Sequence, residues 1–250
     1  MPSTAELAYL AAYDASQFPR PSVTVDVVLI ALDGDALRTL LVRRTEQPQK
    51  GRWSFPGGFV RIDESLDDAA ARVLRDKAGI DGVFLEQLYT FGAPERDPRT
   101  RVISVAYYGL VDHAALAAAA ASLGEHDRVA TFRVPWEGER GGPVDLLDAH
   151  GKALSVAFDH RDIAGTAIKR LRGKLAYTPV GFALLPREFT LLQLQRVHEI
   201  VLGTRLNKDS FRRRMLASDT LETTGTAQEG VDHRPAALYR RRETGDSFHG

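Results

Sequence analysis

Apolar positions in the first half of the chain fall into short runs bounded by turn residues. SVTVDVVLIAL (22–32) and ALRTLLVRRT (36–45) flank Asp-Gly-Asp, which predicts a β-hairpin, because Gly and Asp accept the backbone of a tight turn. VISVAYYGLV (102–111) predicts a further core strand and RVATFRVPW (128–136) a later one. Between them Ala69, Val73 and Leu74 make one apolar side of a helix. Ser65 is placed to cap it, Asp67 and Asp68 to meet the positive end of its dipole, and Gly79 to stop it. Residues 112–124 are alanine-rich helix or loop. Strands alternating with a helix make residues 1–155 an α/β domain.

The second half follows a helical rhythm. IAGTAIKRLRGKL (163–175) predicts a helix, and a short apolar strand is expected around Val180 to Leu184. Thr190 then caps LLQLQRVHEIVLG, where Leu191, Leu194, Val197 and Val201 share a helical face before Gly203 ends it. After the four-residue link TRLN, KDSFRRRMLAS predicts a second helix with Phe211 and Met215 inward and Lys208, Arg212, Arg213 and Arg214 outward. Two helices about a glycine turn make a helix-turn-helix, whose second helix enters a major groove. TLETTG (220–225) and PAALYRRR (235–242) then supply the two strands of a wing. Residues 160–242 are thus expected to form a winged helix-turn-helix domain, followed by a disordered tail at 243–250.

Composition narrows the chemistry. The 250 residues, 44% hydrophobic and 26% charged, suit a folded, soluble protein. With no cysteine there is no disulfide, thiolate zinc site or cysteine nucleophile. The seven histidines are dispersed, so His160 and His198 read as satisfied surface or core groups. The N-terminus lacks a basic stretch leading into an apolar core, and the alanine run near Leu116 is too short to span a bilayer, so no membrane partner and a cytoplasmic location are expected. The zero net charge divides unevenly: residues 1–160 carry 17 Lys and Arg against 23 Asp and Glu, a net of −6, and residues 161–250 carry 16 against 10, a net of +6. A basic C-terminal half suits a polyanion, or else a docking face for the acidic half.

The most specific stretch is GGFVRIDESLDDAAARVLRDKAGI (57–80). Residues 72, 73, 76 and 77 are neighbours on its helix. A diphosphate hydrolase needs carboxylate oxygens there, because Mg²⁺ takes an octahedral oxygen shell that the substrate completes. Val73 offers no oxygen and Lys77 repels a metal, leaving Glu64 and Asp76 as residual ligands for weakly held Mg²⁺. No catalytic residue and no required cofactor are expected. The stretch resembles the Nudix box: Gly58, Glu64, Arg72, Leu74, Gly79 and Ile80 match its pattern, while its three helix glutamates fall on Val73, Asp76 and Lys77. The resemblance implies an α/β Nudix-like sandwich.

FGAPERDPRTR (91–101) brings Arg96, Arg99 and Arg101 between two strands. Arginine forks match phosphate oxygens, and Lys77 is placed to neutralise a diphosphate where the ion is missing; the alternative is a solvated hairpin paired with its own Glu95 and Asp97. The loop resembles that of Nudix proteins acting on ADP-ribose, which implies Arg43, Arg44, Trp53 and Phe55 as further wall residues, although Trp53 and Phe55 suit a core equally well. On the basic side, Asn207, Lys208 and Ser210 begin the recognition helix, and Arg212, Arg213 and Arg214 divide between bases and phosphates. Arg240 and Arg241, with Arg242, reach the phosphate backbone, and Thr190 is counted with the DNA-facing residues. A solvated arginine face is the alternative for both triplets.

Nearly the whole chain resembles the Nudix-related transcriptional regulators, through residues 184–215 and 234–240 above all. That resemblance implies a homodimer on duplex operator DNA, repression of genes of NAD metabolism or sugar utilisation, and release by ADP-ribose or a related nucleotide. Some relatives retain ADP-ribose hydrolysis, so a Mg²⁺-dependent ADP-ribose pyrophosphatase is the alternative, with a positive regulator and an RNA- or protein-docking module as further readings.

Overall fold

β1 (Ser22–Asp33) is buried without a break from Val25 to Ala31. A strand buried on both faces needs a layer on each, which sets the architecture of the N-terminal half. The computed structural model describes residues 2–121, 124, 127–175, 178–228 and 235–242. The expected tail at 243–250 and most of the loop between the wing strands lie outside these residues.

The Asp-Gly-Asp hairpin forms as expected: β2 (Ala36–Arg43) returns antiparallel on β1 through Gly34, whose φ of 58° a side chain would resist. β3 (Trp53–Ser54) pairs with β2, and β4 (Gly57–Phe59) pairs with the start of β1. β5 (Leu85–Phe91) lies on β6 (Val102–Leu110), which runs parallel to β1. β7 (Asp127–Arg133) lies on β2, and β8 (Asp145–Leu147) on β7. The strand order is β5-β6-β1-β2-β7-β8, with β3 and β4 paired at its side.

Alternation along β1 sends its side chains to two cores. Val25, Val27 and Leu29 meet α2 (Leu66–Ala78) and α3 (His113–Ala121), which follow an N-terminal helix, α1 (Thr4–Ala12), that buries none of its residues. Ser65 caps α2 by accepting the Asp68 N–H, and Gly79 ends it with left-handed backbone. Val28 and Ile30 point the other way, into a cluster shared with α4 (His160–Leu175) and the C-terminal elements.

α4 is therefore common to both halves. It packs on β1, β5 and β8 and also on α5 (Leu191–Leu202). Gly165 allows the close approach, since a Cβ there would lie 1.9 Å from the Gly142 carbonyl oxygen. The strand expected around Val180 to Leu184 is instead a 3-10 turn, Pro179–Leu184. Pro179 has no N–H to give a ladder and suits the first turn of a helix, and Gly181 and Leu184 are buried where the turn packs on α4 and α5.

The helix-turn-helix and wing are as expected: α5, α6 (Lys208–Ala217), β10 (Leu221–Ala227) and β11 (Ala237–Arg241), with the short β9 (Phe189–Thr190) completing a three-stranded β10-β11-β9 sheet. Two buried charges fix this half. Glu199 Oε1 accepts the Leu206 N–H (2.9 Å) and Gln195 Nε2 (3.1 Å), closing the turn between the helices, while Oε2 faces Arg196 at 3.1 Å. Arg172, only 4% exposed, donates to the carbonyls of Val201 (2.8 Å), Gly138 (2.8 Å) and Trp136 (3.2 Å).

Removing the guanidinium strands these carbonyls. Arg172→Ala is expected to lower the unfolding free energy by about 3 kcal/mol, seen as a lower urea midpoint at unchanged slope; a shift below a third of that would mean the contacts contribute little.

Candidate functional site

Where β4 crosses the start of β1, the chain leaves a cleft of about 500 Å³. Gly57 faces Asp26 so closely that a Cβ would fall 2.2 Å from Asp26 Oδ1. Asp26 is 7% exposed in the middle of an apolar strand, and three groups compensate it. Ser104 donates its hydroxyl, the Arg96 guanidinium lies 3.6 Å away, and His160 Nε2 stands at 3.6 Å. Arg96 is bound more closely by Asp159, through a bidentate pair at 2.9 and 2.7 Å. His160 Nδ1 accepts the Phe55 N–H at 2.9 Å, which places the ring proton on Nε2, towards Asp26. Burial holds the His160 imidazole below its ordinary range, and it is neutral.

Arg43, Arg44, Phe55, Lys77, Arg96 and Arg99 all line the cleft. Arg96 does not pair within its own hairpin but crosses to Asp159, whereas Arg99 does pair with its neighbour Asp97 (2.7 Å). Arg101 and Trp53 stand outside the lining; Arg101 donates to the Ala93 carbonyl, and Trp53 is buried beneath Arg128. Phe55 is 1% exposed and stacks on His160, so its ring belongs to the core. Asp26, Phe158 and Asp159 escaped the sequence reading, while His160, expected as a satisfied surface or core group, is a satisfied core group that also lines the cleft. An acid inside the run SVTVDVVLIAL was the signal for Asp26, since an ionised group in a buried strand needs partners. Thr24 also lines the cleft, and its buried hydroxyl has no hydrogen-bond partner among the described residues.

The box side chains that the sequence left as residual ligands take different partners. Glu64 takes a bidentate pair from Arg72 and also accepts the Arg61 N–H, and the Arg72 pair first of all holds its carboxyl down to about 2. Val73 is buried against Gly58. Lys77, an exposed residue on the cleft lining, donates its amine to the Gly57 carbonyl (2.6 Å), and partial desolvation of that amine lowers its pKa. Of the two box acids Asp76 lines the cleft and Glu64 does not, and Asp97, which with Glu95 is the further carboxylate a pyrophosphatase would draw on, lines it too. Among the described residues no group of three His, Asp or Glu is close enough to hold an ion.

At the other end of the molecule, Lys208, Ser210, Arg212, Arg213 and Arg214 are exposed on α6, whose N-cap is Asn207, accepting the Ser210 N–H at 3.0 Å. On the wing, Arg240, Arg241 and Arg242 are exposed; Arg240 pairs with Glu222, and Arg242 lies 3.7 Å from Asp219. Thr190 differs from the rest: it is 3% exposed and its hydroxyl is engaged in a capping box with Gln193. Its position is inside the domain, where it starts α5.

A model of the NrtR DNA-binding winged helix domain matches residues 181–241, and a model of the NUDIX domain matches residues 20–141. An "ADPR responsive transcriptional repressor" from Acinetobacter baylyi is 37% identical over 95% of this chain and 88% of its own length. The chain belongs to the NrtR family. Shewanella oneidensis NrtR, solved in complex with a 27mer DNA, is 33% identical, covers 88% of this chain and 93% of its own, and superposes with a TM-score of 0.71. A MutT/nudix family protein from Enterococcus faecalis is 26% identical over 96% of this chain and 94% of its own, with a TM-score of 0.73. The expected sandwich and winged helix are thereby both present in one family architecture. Helix α4 falls between the two matched segments. No helix among the described residues is long and apolar enough to cross a membrane.

The buried His160 and the half-buried His198 make stability depend on pH. His198, on α5, is lowered to about 4 by burial, with nearby Arg214 adding to it. The unfolded chain binds protons near pH 6.5 that these folded histidines refuse, so stability is full above pH 6.5 and falls as pH drops below it, by up to about 1.4 kcal/mol per pH unit for each histidine. Urea midpoints at pH 7, 6 and 5 should decline, and His198→Gln should decline less steeply; parallel curves would discount His198.

Proposed function

We propose that this chain is a transcriptional repressor that holds operator DNA through α6 and the wing and releases it when ADP-ribose, or a nucleotide of that class, fills the cleft. Lys77 carries the reading. The cleft keeps cations suited to a diphosphate, yet an ammonium lies across the floor where a hydrolase of this fold needs carboxylate oxygens. Such a site is built to retain its ligand. Lys77, Arg43, Arg44, Arg96 and Arg99 are the proposed ligand contacts, and no step of the mechanism needs a metal.

DNA binding is assigned to Lys208, Ser210, Arg212, Arg213 and Arg214 with Arg240 and Arg241, and Asn207 both caps α6 and stands at its groove-entering end. Two such helices in a homodimer, about 34 Å apart, would read the half-sites of a palindromic operator. We assign effector binding to residues 1–155 and DNA binding to 160–242, with genes of NAD metabolism as the expected targets. α4 supplies the connection. It spans about 24 Å at 1.5 Å per residue; its first residue, His160, lines the cleft, and Arg172 near its other end grips the last turn of α5. A ligand that competes for Arg96 would disturb the Arg96 to Asp159 pair at the head of that helix. Coupling of about 1–3 kcal/mol suffices for release.

In fluorescence anisotropy with duplex DNA from upstream of genes of NAD metabolism, tight and sequence-dependent binding should weaken about 5- to 150-fold at saturating ADP-ribose, with the nucleotide recovered intact. Equal affinity with and without it, or steady cleavage with Mg²⁺, would refute the proposal. Arg213→Ala should weaken specific and random duplexes alike and reduce the slope of log affinity against log salt by about 1; an unchanged slope would take Arg213 off the phosphates.

A further inference from the structure

Among the described residues two that are not glycine hold left-handed backbone, Gln49 (φ 60°) and Phe158 (φ 49°). They touch: the Phe158 N–H donates to Gln49 Oε1 at 2.9 Å. A bulky side chain in this conformation is strained and persists only where its surroundings fix it, a pattern that clusters at ligand sites. Phe158 lines the cleft, directly before Asp159 and His160.

Three phenylalanine rings line that cleft beside the His160 imidazole: Phe55, Phe59 and Phe158. Phe55 is closed to a ligand, with 1% exposure and the His160 ring stacked on it at 5.5 Å and 10°. Phe59, 47% exposed, stands at the rim on the three-residue β4. Phe158 is half-buried and anchored through its backbone, and it presents a ring face on which the Arg44 guanidinium rests 4.7 Å from the centroid. A planar cation on a ring marks a face that accepts a flat, polarisable group. Arg44 is held there by its bond to the Pro48 carbonyl (2.9 Å), and it lines the same cleft as Lys77 and Arg96.

We propose that Phe158 is the base-stacking and specificity-determining residue of the cleft. A purine takes the place of the Arg44 guanidinium on the Phe158 ring, and Arg44 turns to the diphosphate. This deepens the nucleotide reading given above and rests on it. Base recognition then sits one residue from the Asp159 carboxylate that pairs with Arg96, so the base and the diphosphate meet at the head of α4.

The test is isothermal titration of the full chain with ADP-ribose, ADP and ribose 5-phosphate, which lacks a base. Phe158→Ala should weaken ADP-ribose and ADP about ten- to hundredfold, the range of one base-to-ring stack, and leave ribose 5-phosphate within twofold. Phe158→Trp should preserve ADP-ribose binding, and Phe59→Ala should change it little. If Phe158→Ala does not fold, Phe158→Leu keeps the bulk without the aromatic face and is read the same way. Equal losses for all three ligands, or a base-selective loss with Phe59→Ala in place of Phe158→Ala, would overturn the assignment. Wild-type protein that binds none of the three would instead remove the nucleotide reading itself, whereas wild-type binding indifferent to Phe158 removes only the stack.

Discussion

A carboxylate buried in the central strand sets the terms for the rest of the cleft. An ionised group withdrawn from water is tolerable only when other groups neutralise and hydrogen-bond it, and Asp26 draws its compensation from distant parts of the chain. Ser104 comes from β6, Arg96 from the loop between β5 and β6, and His160 from the start of α4. Gly57 must be glycine for β4 to pass over that carboxylate. Arg96 in turn needs a closer partner and finds it in Asp159. One buried acid thus fixes the floor of the cleft, the course of the arginine loop and the head of the helix that leads out of the sandwich.

The far end of that helix follows the same electrostatic logic. Arg172 is stripped of water and rewarded with three carbonyls, one of them from the last turn of α5. Glu199, also buried, closes the turn between α5 and α6 and is approached by Arg196, whose guanidinium reaches Asp35 in the β1–β2 turn at 2.9 Å. Both ends of α4 and the adjoining turn are therefore set by charges that tolerate few arrangements. For the proposed coupling, α4 offers a packed element between the cleft and α5, held by paired charge at its head and by Arg172 near its far end.

The cleft shows how a small change of side-chain chemistry redirects an architecture. An ammonium and a metal ion can each answer the negative charge of a diphosphate, so under the proposed function Lys77, over the Gly57 carbonyl, supplies to the ligand part of what an ion would. Glu64, the box acid that persists, is turned inward to Arg72 and holds the loop before α2. In the proposed function the acidic N-terminal half takes the small ligand and the basic C-terminal half offers a surface suited to a long polyanion.

Local order was legible in the chain. The hairpin of β1 and β2, the capped α2, and the succession of α5, α6 and the wing strands all follow from periodicity, caps and glycines, which act over a few residues. The same grammar misread 180–184, where an apolar run without a neighbouring strand folds as a 3-10 turn, and it gave Thr190 to DNA when its hydroxyl is engaged in starting α5. Trp53 and Phe55 could not be told from ligand walls, because burial depends on what packs against a ring. Only the tertiary structure chose the partners of the charges. Arg96 pairs with Asp159, 63 residues away, and the Phe55 amide meets His160 across 105. Sequence carries the signals that act along the backbone, while the compensation of buried charge is settled between segments that meet only once the chain has folded.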